Sequence, residues 1–180
     1  EDGMRSFMQT TEKNIFLIGF MGVGKSTISQ VLKQMLGGQA RCVEMDQVIV
    51  EQQGMSIAQI FEEKGEAYFR QLETNLLLEL EKESGAIVSC GGGVVMREEN
   101  VASMKKNGTI VLLTATPETI YERVKDSTSR PLLNSDMSVS HIRELIEARR
   151  PQYVSAADVM VSTDGKTANE ICTEILERIQ

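Results

Sequence analysis

Between Gly19 and Thr27 the chain reads GFMGVGKST, in which Gly19, Gly24, Lys25 and Ser26 keep the spacing of a loop that holds phosphate. Glycines let the backbone curl so that successive N–H groups face anionic oxygens, and a helix starting at the loop adds a favourable dipole. Gly22, Val23, Gly24, Lys25, Ser26 and Thr27 are therefore the candidate phosphate-binding residues. Lys25 would reach the outer phosphates, and the Ser26 hydroxyl would ligate magnesium. Downstream, VEMDQVIVE places Glu44 and Asp46 two residues apart, at the expected end of a strand. On an extended segment both carboxylates face one side, so one would support a magnesium ion and the other would hydrogen-bond an acceptor hydroxyl. Next comes Gly91-Gly92-Gly93 within SCGGGVV. Three successive glycines carry a backbone-entropy penalty and make sense where a ligand must approach the backbone closely. Arg70, Arg130, Arg149 and Arg150 offer guanidinium forks suited to carboxylate or phosphate.

Such groups act together only if the fold brings them to one rim. Five short apolar runs are expected as strands, over residues 15–18, 42–45, 86–89, 109–114 and 158–162, with helical periodicity between them. Strands alternating with helices imply an α/β domain with a parallel sheet covered on both faces. Ligands in such sheets bind beyond the carboxyl ends of the strands. The phosphate loop follows the first strand, Asp46 the second, the three glycines the third and residues 162–167 the fifth. Arg70 falls near the start of a helix whose apolar stripe is Phe69, Leu72, Leu76 and Leu80. Arg149 and Arg150 precede Pro151, where their helix is expected to stop.

With 180 residues the chain is long enough for one domain with a sizeable core. Residues 14–180 are read as that domain and residues 1–13 as a flexible N-terminal segment lacking the apolar stretch of a signal peptide. No apolar run approaches the roughly 20 residues of a membrane span. The net charge of −7 argues against nucleic-acid and anionic-membrane partners, while leaving room for a phosphorylated ligand held by a local cluster of cations. Cys42, Cys90 and Cys172 are odd in number and scattered, which reads as buried reduced thiols in a cytoplasmic protein. The stretch DSTSRPLLNSDMS, residues 126–138, is polar and short of apolar anchors. It is read as a mobile lid that carries Arg130 into a closed site.

From about Asn14 to the C-terminus the chain resembles the shikimate kinases, small phosphate-loop kinases of aromatic biosynthesis. The likeness rests on GFMGVGKST, EMD, GMSIAQIFEEKGEAYFRQLE, the three glycines, RPLL and RRPQY, in that order. The resemblance implies a three-layer P-loop NTPase fold with a five-stranded parallel sheet flanked by helices. It implies magnesium-dependent transfer of phosphate from ATP to the 3-hydroxyl of shikimate by a monomer. By the same resemblance Asp46 binds the acceptor hydroxyl, Arg70 and Arg149 grip the acceptor carboxylate, and Gly91, Gly92 and Gly93 form the substrate loop. Arg130 contacts the transferring phosphate, Arg123 packs on adenine, and residues 162–167 lie beside the base. Glu44 stands where the family usually has aspartate, which implies magnesium contact through water. A gluconate-type kinase is the alternative enzyme. A GTPase switch is disfavoured, because no Asn-Lys-x-Asp guanine motif is present.

Overall fold

The computed structural model of the protein describes residues 13–125 and 138–179. Arg130, and the expected lid as far as Met137, lie outside the described residues, as does nearly all of the expected N-terminal segment.

The apolar runs form β1 (Asn14–Ile18), β2 (Arg41–Glu44), β3 (Ala86–Ser89), β4 (Gly108–Thr114) and β5 (Val159–Ser162). They pair in the order β2-β3-β1-β4-β5, every pairing parallel. Strand alternation divides the core between the two faces of the sheet. Phe16, Ile18, Val43, Val88, Ile110 and Leu112 face one layer, packing with Ile60, Phe69, Leu76 and Leu80. Ile15, Leu17, Ile87, Val111, Leu113 and Val161 face the other, packing with Ile28, Leu32, Ile171 and Ile175. The first layer holds α2 (Met45–Gln53), α3 (Ile57–Lys64), α4 (Glu66–Leu80) and α5 (Glu98–Lys106). The second holds α1 (Lys25–Met35), α6 (Pro117–Val124) and α8 (Ala168–Arg178). The long helix α7 (Val139–Ala156) reaches both layers, through Ile142 on one side and Tyr153 and Ala156 on the other.

Local signals set four of the eight helix starts among the described residues. Ser56 with Gln59, and Thr167 with Glu170, close reciprocal capping boxes on α3 and α8. Thr116 caps α6 with Pro117 in its first turn, and Ser138 caps α7. The buried side chain of Asn14 ties three elements together. It donates to the carbonyls of Leu80 (3.1 Å) and Glu83 (3.1 Å) and accepts from the N–H of Ala86 (3.0 Å), which aligns β1 with the α4–β3 connection.

Two sequence expectations need correction. Strand β2 ends at Glu44, and Met45 already begins α2, so Asp46 sits in the first helical turn. Strand alternation therefore does not bring Glu44 and Asp46 to the same rim; the strand-to-helix turn does. Met45, the first residue of α2, is fully buried. Helix α7 also does not stop before Pro151 but continues to Ala156. Proline removes one donor, to the carbonyl of Glu147 four residues back. Burial of Tyr153 and Ala156 holds the turn beyond it in place.

Candidate active site

At the centre of the sheet, β1 runs into the phosphate loop, and α1 starts at Lys25 immediately after it. Gly24 precedes that helix at φ 100°, a left-handed conformation that disfavours any side chain. No side chain caps α1, so its first N–H groups are left for a ligand to satisfy. The Lys25 ammonium donates to the carbonyls of Gly19 (2.6 Å) and Phe20 (3.2 Å), curled over the loop that it would serve. Arg123, arriving from α6, donates to the carbonyl of Gly22 at 2.9 Å. The Ser26 hydroxyl donates to Glu44 at 2.8 Å. A hydroxyl beside a carboxylate is a hard-oxygen pair that fits magnesium, which takes one or two carboxylates and completes its shell with phosphate and water. The extra methylene of glutamate spans to Ser26 without a bridging group.

Gly22, Lys25, Ser26, Glu44 and Arg123 line a cleft of about 690 Å³ together with Gly24, Thr27, Asp46, Gly91 and Gly92. Val23, 2% exposed, does not line this cleft. Behind this lining, charged side chains lie against the three glycines; of them only Asp46 lines the cleft itself, and Arg70, Glu73, Gly93 and Arg149 do not. A Cβ at Gly93 would sit 2.6 Å from the Arg70 guanidinium, and one at Gly91 would sit 2.6 Å from Glu73 Oε2 and 3.3 Å from Asp46 Oδ1. A Cβ at Gly92 would sit 3.3 Å from Arg149 Nη1. The close approach expected of a ligand is thus made, in part, by the protein's own acceptor-side groups. Arg149 also stacks over the Phe20 ring at 5.7 Å, and Tyr153 donates to the Gly92 carbonyl at 2.6 Å.

Three buried polar atoms here have no hydrogen-bond partner: Asp46 Oδ1, Glu73 Oε2 and Arg149 Nη1. Buried polar atoms are nearly always satisfied, so these three, gathered beside one surface, call for partners that the protein does not supply. This cluster places two carboxylate oxygens against Gly91 and one cationic donor against Gly92.

Residues 21–180 match the family model described as shikimate kinase. A shikimate kinase of Dehalococcoides mccartyi is 42% identical over 169 residues, covering 94% of each chain. One of Persephonella marina is 43% identical, covering 93% of this chain and 99% of that relative. Among solved structures, shikimate kinase from Acinetobacter baumannii in complex with shikimate is 32% identical, with a TM-score of 0.89 over 97% of this chain and 96% of that one. The chain belongs to the shikimate kinase family. It is an enzyme of that family, and its sheet is that of a P-loop kinase. A gluconokinase from Sinorhizobium meliloti, at 15% identity and a TM-score of 0.56, shares the fold alone.

Within this kinase the arginines divide. Arg70 and Arg149 reach the glycine loop, whereas Arg150 is exposed and pairs with Glu147 at 2.9 Å, away from it. Residues 162–167 are tied to the end of β4, where Thr163 donates to the Thr114 carbonyl and Asp164 accepts from the Thr116 N–H. They do not line the 690 Å³ cleft.

Sequence reasoning missed Glu73. It accepts from Arg70 Nη1 at 2.7 Å, and its side chain is fully buried. Burial pushes its carboxyl up to about 7, with Asp46 adding to the shift and Arg70 opposing it. Burial works against the charge on Arg70, but Glu73 and Glu66 outweigh it and raise that group further. A signal was present: Phe69, Glu73, Leu76 and Leu80 share one helical face, and an acidic residue on a buried stripe demands a partner.

Proposed function

We propose that this chain transfers the γ-phosphoryl group of ATP to the 3-hydroxyl of shikimate, giving shikimate 3-phosphate and ADP. The orphan cluster carries the reading. An acceptor bearing both a carboxylate and hydroxyls satisfies all three atoms at once, with its carboxylate on Arg149 and Arg70 and its hydroxyls on Asp46 and Glu73. Phosphoryl transfer asks a protein chiefly for positioning and for charge stabilisation. The uncapped start of α1 and Gly22, Val23, Gly24, Lys25, Ser26 and Thr27 bind the phosphates, and Lys25 moves from the loop carbonyls onto the outer phosphate. Asp46 orients the attacking hydroxyl and receives its proton late in the transfer, as the new P–O bond forms and the bond to ADP breaks. Gly91, Gly92 and Gly93 keep the acceptor against the phosphate loop. Arg123 packs against the adenine and Arg130 contacts the moving phosphate. A lid over residues 126–138 belongs to the same proposal.

Ser26 and Glu44 would hold a magnesium ion, which supplies charge neutralisation on the phosphates when bound. The single domain spans residues 14–180 and acts as a monomer. The free thiols of Cys90 and Cys172 support a cytoplasmic setting. The charge of −7 disfavours nucleic-acid partners, and no helix among the described residues is long and apolar enough to cross a membrane. A coupled ADP-release assay across shikimate, gluconate and nucleoside monophosphates tests the reading. Turnover is expected with shikimate and not with the others; equal turnover of gluconate, or none of shikimate, overturns it.

A further inference from the structure

Helix α4 and the glycine turn are joined by a buried polar link that none of the site assignments uses. The Thr74 hydroxyl lies 2.8 Å from Asn100 Oδ1, and Asn100 Nδ2 donates to the Val94 carbonyl at 2.9 Å. Thr74 also lies 3.1 Å from the carbonyl of Arg70, one turn earlier in α4. A threonine has one hydrogen to give, and the shorter distance assigns it to Asn100. Arg97 Nη1 donates to the same hydroxyl at 3.2 Å and to Gln71 Oε1 at 3.2 Å, closing the link on its outer side. Thr74 is 5% and Asn100 1% exposed, so neither can exchange its partner for water. The amide orientation follows from the network, because only one placement of oxygen and nitrogen satisfies both neighbours.

The connection closes on itself. It runs from α4, which carries Arg70 one turn before Thr74, through Thr74 and Asn100 to Val94, which directly follows Gly93, and Gly93 is where the Arg70 guanidinium rests. We propose that Thr74 and Asn100 are positioning residues for the acceptor's anionic group, holding α4 at the distance from the glycine turn that seats Arg70 over Gly93. This rests on the reading that Arg70 binds the acceptor carboxylate. The link touches neither the phosphate loop nor Lys25, so its influence falls on one substrate only. Apolar contacts between α4 and α5 would fix the separation loosely. A directional hydrogen-bonded chain fixes it to tenths of an ångström, as a charged two-point contact requires.

The test is a double-mutant cycle on the whole protein, with shikimate and ADP affinities measured by calorimetry. Thr74→Val keeps the volume and removes the hydroxyl. It is expected to weaken shikimate binding by roughly five- to tenfold, the scale of one hydrogen bond, with ADP binding unchanged. Thr74→Ser should restore most of the loss. In an Arg70→Lys background, Thr74→Val should cost little further, because the group it positions is gone. Equal losses in both backgrounds, parallel losses for ADP, or full shikimate affinity in Thr74→Val overturn the positioning role. Failure of Arg70→Lys alone to weaken shikimate binding marks instead the failure of the carboxylate reading. Should Thr74→Val not fold, Asn100→Ser breaks the link from its other end and carries the same comparison.

Discussion

Replacing Gly93 with alanine isolates what the glycine run does. At φ −103° and ψ 5° the residue needs no glycine-specific conformation, so alanine meets no backbone penalty there. Its Cβ would, however, stand 2.6 Å from Cζ, Nη1 and Nη2 of Arg70, where ordinary contact begins at 3.4 Å. The obstacle is the end of a flexible side chain, so the fold survives and the guanidinium retreats by nearly an ångström. A charge-assisted hydrogen bond of about 2.8 Å lengthened that far exceeds 3.5 Å and ceases to be one. Losing one such contact costs about 1.5–3 kcal/mol, a factor of roughly 10 to 150 in affinity. Calorimetry on Gly93→Ala should therefore find shikimate affinity reduced within that range, ADP affinity intact and a thermal midpoint near that of the parent protein. Unchanged shikimate affinity in a folded Gly93→Ala protein would refute the claim that Arg70 must lie against this glycine to act.

The raised carboxyl of Glu73 makes stability depend on pH. The folded state keeps a proton between the ordinary carboxyl range near 4.5 and about 7, where the unfolded chain has lost it. Stability from this group is therefore present at low pH and lost as pH rises through that window, by on the order of 3 kcal/mol at most. Glu73→Gln should flatten the urea-melt stability profile between about pH 5 and 7; an identical slope in that variant sinks the assignment. Asp46→Asn should abolish most turnover while calorimetric ADP binding stays near normal, and retained turnover would remove Asp46 from the chemistry. Glu44→Asp shortens the reach to Ser26, which now stands at 2.8 Å. It should alter magnesium affinity only mildly in a titration of the nucleotide-bound protein, and complete loss of the magnesium response would mean that the longer side chain is required.

Much of this protein is decided within short stretches of its sequence. The phosphate loop is a local object, since glycine spacing, an apolar strand before it and an uncapped helix after it suffice to make an anion site. Strands and helix starts were legible for the same reason: apolar runs, capping boxes and Pro117 act on residues close in the chain. The acceptor side depends on contacts between residues far apart. Glu73 and Asp46 meet across Gly91, and Arg149 reaches Gly92 from a helix that outlasts its own proline. Asp46 lies in a helix where an extended segment is expected, because the chain turns from β2 into α2 at Met45. The protonation of Glu73 and the seating of Arg70 come from desolvation and close packing, which arise only when separate elements share one interior. Spacing along the chain names the charged groups, and the folded interior decides which of them stay charged, which stay unpaired and which face a substrate.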